Sequence, residues 1–416
     1  MNASSMPKRG ISAVTFLILF AIIVSMASPG AQQAFAQPER NSFLGESFNI
    51  TPDTSTSDQR TSSVAYNNHL DQWLVVWADQ RNGVQDGIYG RRVAKNGSLL
   101  TPEITVLDNS DTLLYPSVAF DSTQSRYLVV WTNMNKGNIE GRVLNADGSA
   151  YSVVFTIADC TGCVFPDVVY TPALDAYLVV WEELISGSES NIRGRFVGVD
   201  GTADPGGNFP IATVVDVDEC FPAVVVDPSD GKYLVVFSHN TSGNYNIGGQ
   251  RLLNTGALSG GVLSISADSG NEYTPDVAFN PLDDGAFVSW HQTGGTTEIM
   301  GRLVRADNSM GDQFILSTPG GAHDGNVSLS YAFAGSPHYL ATWEAGSEFL
   351  GRWVTAGGAI ASAIFTVTSE NTQSGTAVAY GSDRFLATYS ENSGQFDIYG
   401  RFGIHNSRLF LPVVSK

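Results

Sequence analysis

Positive charge is scarce in this 416-residue chain: 22 Lys and Arg stand against 41 Asp and Glu, a net charge of −19 at pH 7. No cluster of Lys or Arg offsets it anywhere. A surface of this sign repels phosphate backbones and anionic lipid, which excludes nucleic acid as an expected partner and leaves no basis for peripheral membrane binding. Cysteine is almost absent, at three residues. Cys160, Cys163 and Cys220 are too few for a four-ligand zinc site, and no His lies near them in sequence. Cys160-Thr-Gly-Cys163 lacks the βαβ surroundings of a redox motif. One disulfide and one spare thiol are expected, paired either Cys160–Cys163 or from one of these to Cys220. Helical periodicity is missing after the N-terminus. So are a GxSxG elbow, an HExxH helix, a P-loop and a dinucleotide fingerprint in suitable context.

One long apolar run is present, Ile11 to Ala27, preceded by Lys8 and Arg9. Ala34-Phe35-Ala36 follows with the small-x-small pattern of a cleavage site. Residues 1–36 therefore read as a signal peptide that leaves Gln37 as the new start. The alternative is an uncleaved N-terminal membrane anchor, because the run nearly spans a bilayer. Either way the protein is expected to be exported: secreted, at the cell surface or periplasmic. A monomer is expected.

What the chain has in abundance is one repeated pattern. Tyr127–Trp131 and Tyr177–Trp181 both read YLVVW, Trp73–Trp77 reads WLVVW, and Tyr233–Phe237 reads YLVVF. Aligned on the last aromatic, the copies fall at Trp77, Trp131, Trp181, Phe237, Trp290, Trp343 and Tyr389, roughly 50 residues apart. Each unit opens on a short apolar segment, often led by proline, as at Pro116, Pro166, Pro222 and Pro275. A turn leads to LVVW, a polar loop to Ile-x-Gly-Arg, and an Asn-Gly or Asp-Gly turn to a fourth β-rich segment. Segments this short and rich in Val, Ile, Tyr and Phe make each unit a four-stranded antiparallel sheet. An unbroken apolar LVVW suits a strand covered on both faces, and its final aromatic fills the gap between sheets.

The last unit ends shortly after Arg401, while Ser47-Phe-Asn-Ile-Thr51 precedes the first unit with no sheet of its own. It is expected to close the ring as the outer strand of the last blade, which removes an open edge. Leu409–Val414 is the rival for that place, limited to an edge by Pro412. The YLVVW and IxGR repeats resemble secreted prokaryotic seven-bladed β-propellers, related in layout to WD-repeat, kelch and YVTN propellers. The expected fold is thus all-β, with the propeller over 37–407 and a short apolar tail over 408–416. The resemblance implies architecture and leaves function open, because propellers host lyases, hydrolases, lectins and scaffolds.

Two sets of loops share one face of such a ring. Those between blades carry carboxylates in every connection, most densely at Asp216, Asp218 and Glu219. These are the first candidates for a cation, with Ca²⁺ the ion suited to oxygen ligands; the plainer reading is that Asp and Asn make turns. The loops after LVVW carry Glu183, Glu344, His239 and His291. Paired acids serve glycoside hydrolysis, and the two histidines, on neighbouring blades, are placed to face one another as a metal or proton-transfer pair. The plainer reading for all four is a solvated loop. Ser266–Tyr273 is similar to a sialidase Asp-box, but it occurs once and lies between blades. Arg91, Arg142, Arg195, Arg302, Arg352 and Arg401 recur one per blade, which points to bridging blades and away from a catalytic set. The preferred expectation is a binding module for a glycan or a protein at the loop-rich face, with Ca²⁺ as its candidate cofactor. The alternatives are a carbohydrate-active hydrolase or lyase, and a structural envelope component.

Overall fold

The structure, a computed structural model, describes residues 43–404 except 53–57, 82–86, 188, 242, 267, 269, 295–296, 322–324, 333–336, 370–371 and 393–394. The expected signal peptide, the apolar tail and the rival strand Leu409–Val414 lie outside the described residues.

LVVW becomes a strand buried on both sides. In the first blade, β3 (Gln72–Asp79) is buried along its whole length. Side chains alternate across it. Trp73, Val75 and Trp77 pack on Leu386, Ile398 and Phe402 of the last blade. Leu74, Val76 and Ala78 pack on Val118, Tyr127 and Trp131 of the next one. Blade-to-blade packing therefore demands apolar residues at consecutive positions, and the chain repeats the same letters because each seam has the same shape.

The first blade is built from β2 (Gln59–Asn67), β3, β4 (Gly87–Ala94) and β5 (Leu99–Leu107), hydrogen-bonded in that order. Five more sheets repeat this sequential order. The seventh pairs β26 (Thr372–Tyr380), β27 (Phe385–Asn392) and β28 (Phe396–Gly403), with β1 (Phe43–Asn49) as its outer strand. β1 runs antiparallel to β28, with Phe48 opposite Gly400 and Asn49 opposite Tyr399. The closing strand thus lies where the sequence placed it, starting four residues earlier. The first strands of the other blades are β6 (Leu113–Asp121), β10 (Cys163–Thr171), β14 (Glu219–Val226), β18 (Asn271–Asn280) and β22 (Gly325–Ala332). They touch one another in cyclic order from β2 through β26 and back to β2, which makes the ring complete. The chain is a seven-bladed β-propeller, with no helix among the described residues.

The glycine of Ile-x-Gly-Arg has a packing reason. Gly194 lies opposite Phe209 and Gly351 opposite Phe365, each Phe sitting on the blade's outer strand. A Cβ on Gly351 would stand 2.6 Å from the Phe365 ring, so only glycine lets that ring lie across the third strand. The arginine that follows binds neighbouring carbonyls. Nη1 of Arg142, Arg195, Arg302 and Arg352 donates to the carbonyls of Val106, Ile157, Ile265 and Leu316 in the preceding blade, at 2.6–2.8 Å. Blade four has Gln250 at this position, and its amide bonds Arg251 and Gly260 within the blade.

Candidate functional site

Each first strand carries a bulge near the end where the chain enters from the previous blade. At each bulge one residue adopts the left-handed conformation: Thr61, Tyr115, Phe165, Phe221, Thr274, Asn326 and Gly375, with φ from 39° to 75°. Six of the seven are not glycine. The left-handed conformation costs such residues about 1–2 kcal/mol each. The ring of first strands imposes it, and the bulges re-aim seven side-chain positions. All seven line a single axial cavity of about 310 Å³ on the loop-rich face.

The cavity wall is two-sided. Tyr115, Phe165 and Phe221 come from three consecutive blades. Their ring centroids stand 4.3 Å and then 4.8 Å apart, which makes a continuous aromatic wall. The bulge positions of the other four blades bear Thr, Asn or Gly. Two residues beyond the bulge, Asp167 and Asp276 also line the cavity.

These carboxylates hold neighbouring blades together. Asp167 Oδ2 accepts the backbone N–H of Val224 at 2.9 Å, while Oδ1 accepts from the Ser117 hydroxyl and the Val168 N–H, both at 2.9 Å. Asp276 accepts from Val277 and from Leu329 of the next blade, both at 2.7 Å. Ser63 and Ser328 occupy the matching positions in two other blades. Their hydroxyls accept from Val118 and Val378 at 3.3 and 3.2 Å. Burial raises Asp167 above the ordinary carboxylate range. Asp276 is pushed up to about 7, by burial first and then by the charge of Asp167, against the pull of its N–H donors.

The catalytic candidates do not meet. None of Glu183, Glu344, His239 and His291 lines the axial cavity. Glu183 forms an ion pair with Arg193 Nε at 2.7 Å. Glu344 is buried behind Asn326, whose Nδ2 stands 3.4 Å from both carboxylate oxygens. His239 packs beside Phe237 of its own strand, with centroids 6.0 Å apart, and burial pushes its imidazole pKa down. His291 stands beside Gly325 of the next blade. His239 is two residues past its blade's reference aromatic and His291 only one. Side chains two apart share a face, so His239 lies with Phe237 toward blade three; successive side chains leave opposite faces, so His291 lies opposite Trp290, which packs on blade four, and turns toward blade six. The two histidines do not face each other.

The densest acidic loop is also split. Asp216 is exposed. Asp218 is claimed by donors, the Ser190 hydroxyl at 2.5 Å and the Tyr245 hydroxyl. Glu219 is buried against the Val214 N–H at 3.4 Å. The three do not converge at metal-binding distances. Among the described residues, the one trio of such ligands that does is Cys160, Cys163 and Glu183. Its two sulfurs are joined as the Cys160–Cys163 disulfide and offer no thiolate; Cys220 is free and buried. Glu182, Glu219 and Glu272 are each pushed up to about 7, mainly by burial. Glu182 accepts the N–H of Phe221 at 3.2 Å, which ties it to the cavity wall.

No family model matches the chain, and comparison with curated proteins finds no match. Solved structures do resemble it. A Hadza microbial sialidase, Hz136, aligns with TM-score 0.50 and 10% identity over 86% of this chain and 68% of its own. The Dos1 propeller aligns with TM-score 0.50 and 10% identity over 88% and 96%. AofleA from Arthrobotrys oligospora aligns with TM-score 0.50 and 10% identity over 80% and 95%. At this identity the likeness establishes the propeller fold and nothing finer.

Proposed function

We propose that the protein is an exported glycan-binding module, with residues 37–407 as the propeller and the axial cavity as its binding site. The observation that carries this reading is the two-sided wall. An aromatic surface matches the C–H face of a sugar ring, while Asp167 on the strand of Phe165, and Asp276, Thr274 and Asn326 on blades five and six, supply polar atoms. That one solved propeller of similar fold is a sialidase is compatible with a sugar ligand. The hydrolase alternative needs an acid and a base at one point. Its candidates are dispersed over four blades, and both oxygens of each cavity aspartate already accept backbone or hydroxyl hydrogen bonds.

The test incubates the chain starting at Gln37 with a panel of soluble polysaccharides, with and without Ca²⁺, recording retention and release of new chain ends. Retention without cleavage, lost in Phe165→Ala and Phe221→Ala, is expected. Cleavage would replace this reading with the hydrolase. Neither signal would leave a protein partner or an envelope scaffold.

A further inference from the structure

We infer that the axial cavity takes a positively charged group, so that the glycans it holds are those with free amines, the unacetylated amino sugars. The inference rests on the glycan-binding reading and adds the ligand's charge.

The charge inventory of the wall carries it. Asp167 and Asp276 line the cavity, and among the described residues no Lys, Arg or His does. The donors that the structure gives these carboxylates are neutral: four backbone N–H groups and the hydroxyl of Ser117. Two acids thus share one open axial cavity without a counter-charge among the described residues of its wall. Tyr115, Phe165 and Phe221 line the same cavity, and their π-faces also attract cations. Acids and aromatics favour the same sign. A sialate or uronate would meet two carboxylates and no arginine. An ammonium group on a sugar ring would find an acceptor in the carboxylates, while the ring's C–H face lay on the aromatics. The raised pKa of Asp276 fits an acid whose counter-charge arrives with the ligand. At about 310 Å³ the cavity is at the small end for ligand pockets.

Calorimetry with three oligomers of equal length tests this: glucosamine, N-acetylglucosamine and galacturonate, at physiological salt and near pH 7, where Asp276, pushed up to about 7, keeps a share of its charge. The glucosamine oligomer is expected to bind about tenfold or more tighter than its acetylated counterpart, the size of one desolvated cation–π contact. Tetramethylammonium should compete. Phe165→Leu should remove most of the preference, and Asp307→Asn, on an exposed turn, should leave it intact. Equal affinity for the glucosamine and N-acetylglucosamine oligomers would overturn the charge inference and keep the glycan reading. Binding of the galacturonate oligomer would do the same. Glucosamine binding indifferent to Phe165→Leu would reduce the effect to general attraction by a chain of net charge −19 and overturn the site. Tetramethylammonium binding without any oligomer binding would keep the cation site and overturn the glycan reading.

Discussion

Asp276 accepts the backbone N–H of Leu329 in the neighbouring blade at 2.7 Å, so a carboxylate on the cavity wall is also a fastener between two first strands. Asp276→Ala would leave that N–H without its partner. The expected loss is about 1–3 kcal/mol, read as a lower urea midpoint at unchanged slope. Asp276→Asn keeps an oxygen acceptor and should lose less. Stability of the alanine variant equal to the parent's would show that water replaces the carboxylate at no cost.

The buried acids set a pH dependence whose sign can be worked out. Asp276, Glu182, Glu219 and Glu272 are each held up near 7 in the folded chain, from ordinary values of 3.8 or 4.5. Between those limits the folded state binds more protons than the unfolded one, so folding is favoured by acid. The contribution is fully present below the unfolded values and is lost as pH rises through about 7. The melting temperature should therefore rise as pH falls from 8 toward 5. Glu219→Gln combined with Glu272→Gln should flatten that slope. A melting temperature that falls steadily over the same range would contradict the burial of these groups.

The repeat made the blades, their strand order and even the closing strand legible, because packing between identical seams forces identical letters. The cavity was less legible. Its defining feature is a backbone conformation shared by Thr61, Tyr115, Phe165, Phe221, Thr274, Asn326 and Gly375, which have no residue type in common. The visible trace was the proline that follows four of them, which marked the segments without showing where the preceding side chain turned. Asp167 and Asp276 directly follow Pro166 and Pro275, but a carboxylate that bonds backbone N–H groups across a seam reads like any turn acid. His239 and His291 misled for a simpler reason: neighbouring blades do not imply a shared seam, and each histidine leaves its strand on the face turned away from the other's blade.

The glycine of the third strand yields a sharper test. Gly351→Ala drives a methyl group toward Phe365, with 2.6 Å to the nearest ring atom. Overpacking of this kind costs about 1–3 kcal/mol. Adding Phe365→Leu should recover part of the loss, because the two changes meet at one contact. Additive losses in the double variant would mean that the strain is relieved elsewhere.

Thiol counting separates the three cysteines. Cys160 and Cys163 are bonded to each other, and burial pushes the Cys220 thiol pKa up, which suppresses its thiolate. A thiol reagent should find no reactive group in the native protein and one after unfolding without reductant. One fast-reacting thiol in the native state would contradict the burial of Cys220, and a chain with no thiol after unfolding would mean that the third sulfur is joined to another molecule.

Ring closure depends on a strand taken from the far end of the chain. Ile50 N–H donates to the Ile398 carbonyl at 2.7 Å, the Tyr389 hydroxyl to Ser47 Oγ at 2.6 Å, and the Phe48 and Phe402 rings stand 5.5 Å apart. Ile50 is fully buried. A chain starting at Gln37 keeps all of this, whereas one starting at Asp58 loses β1 and bares the edge of β28. Burial of Ile50 contributes about 1.5–3 kcal/mol and that of the half-buried Phe48 less, and the bare edge invites pairing between molecules. The shorter chain should melt earlier and run as larger species in size-exclusion chromatography, while the longer one elutes as a monomer. If both melt together and elute alike, the seventh blade is stable with three strands and the ring does not need its N-terminal clasp.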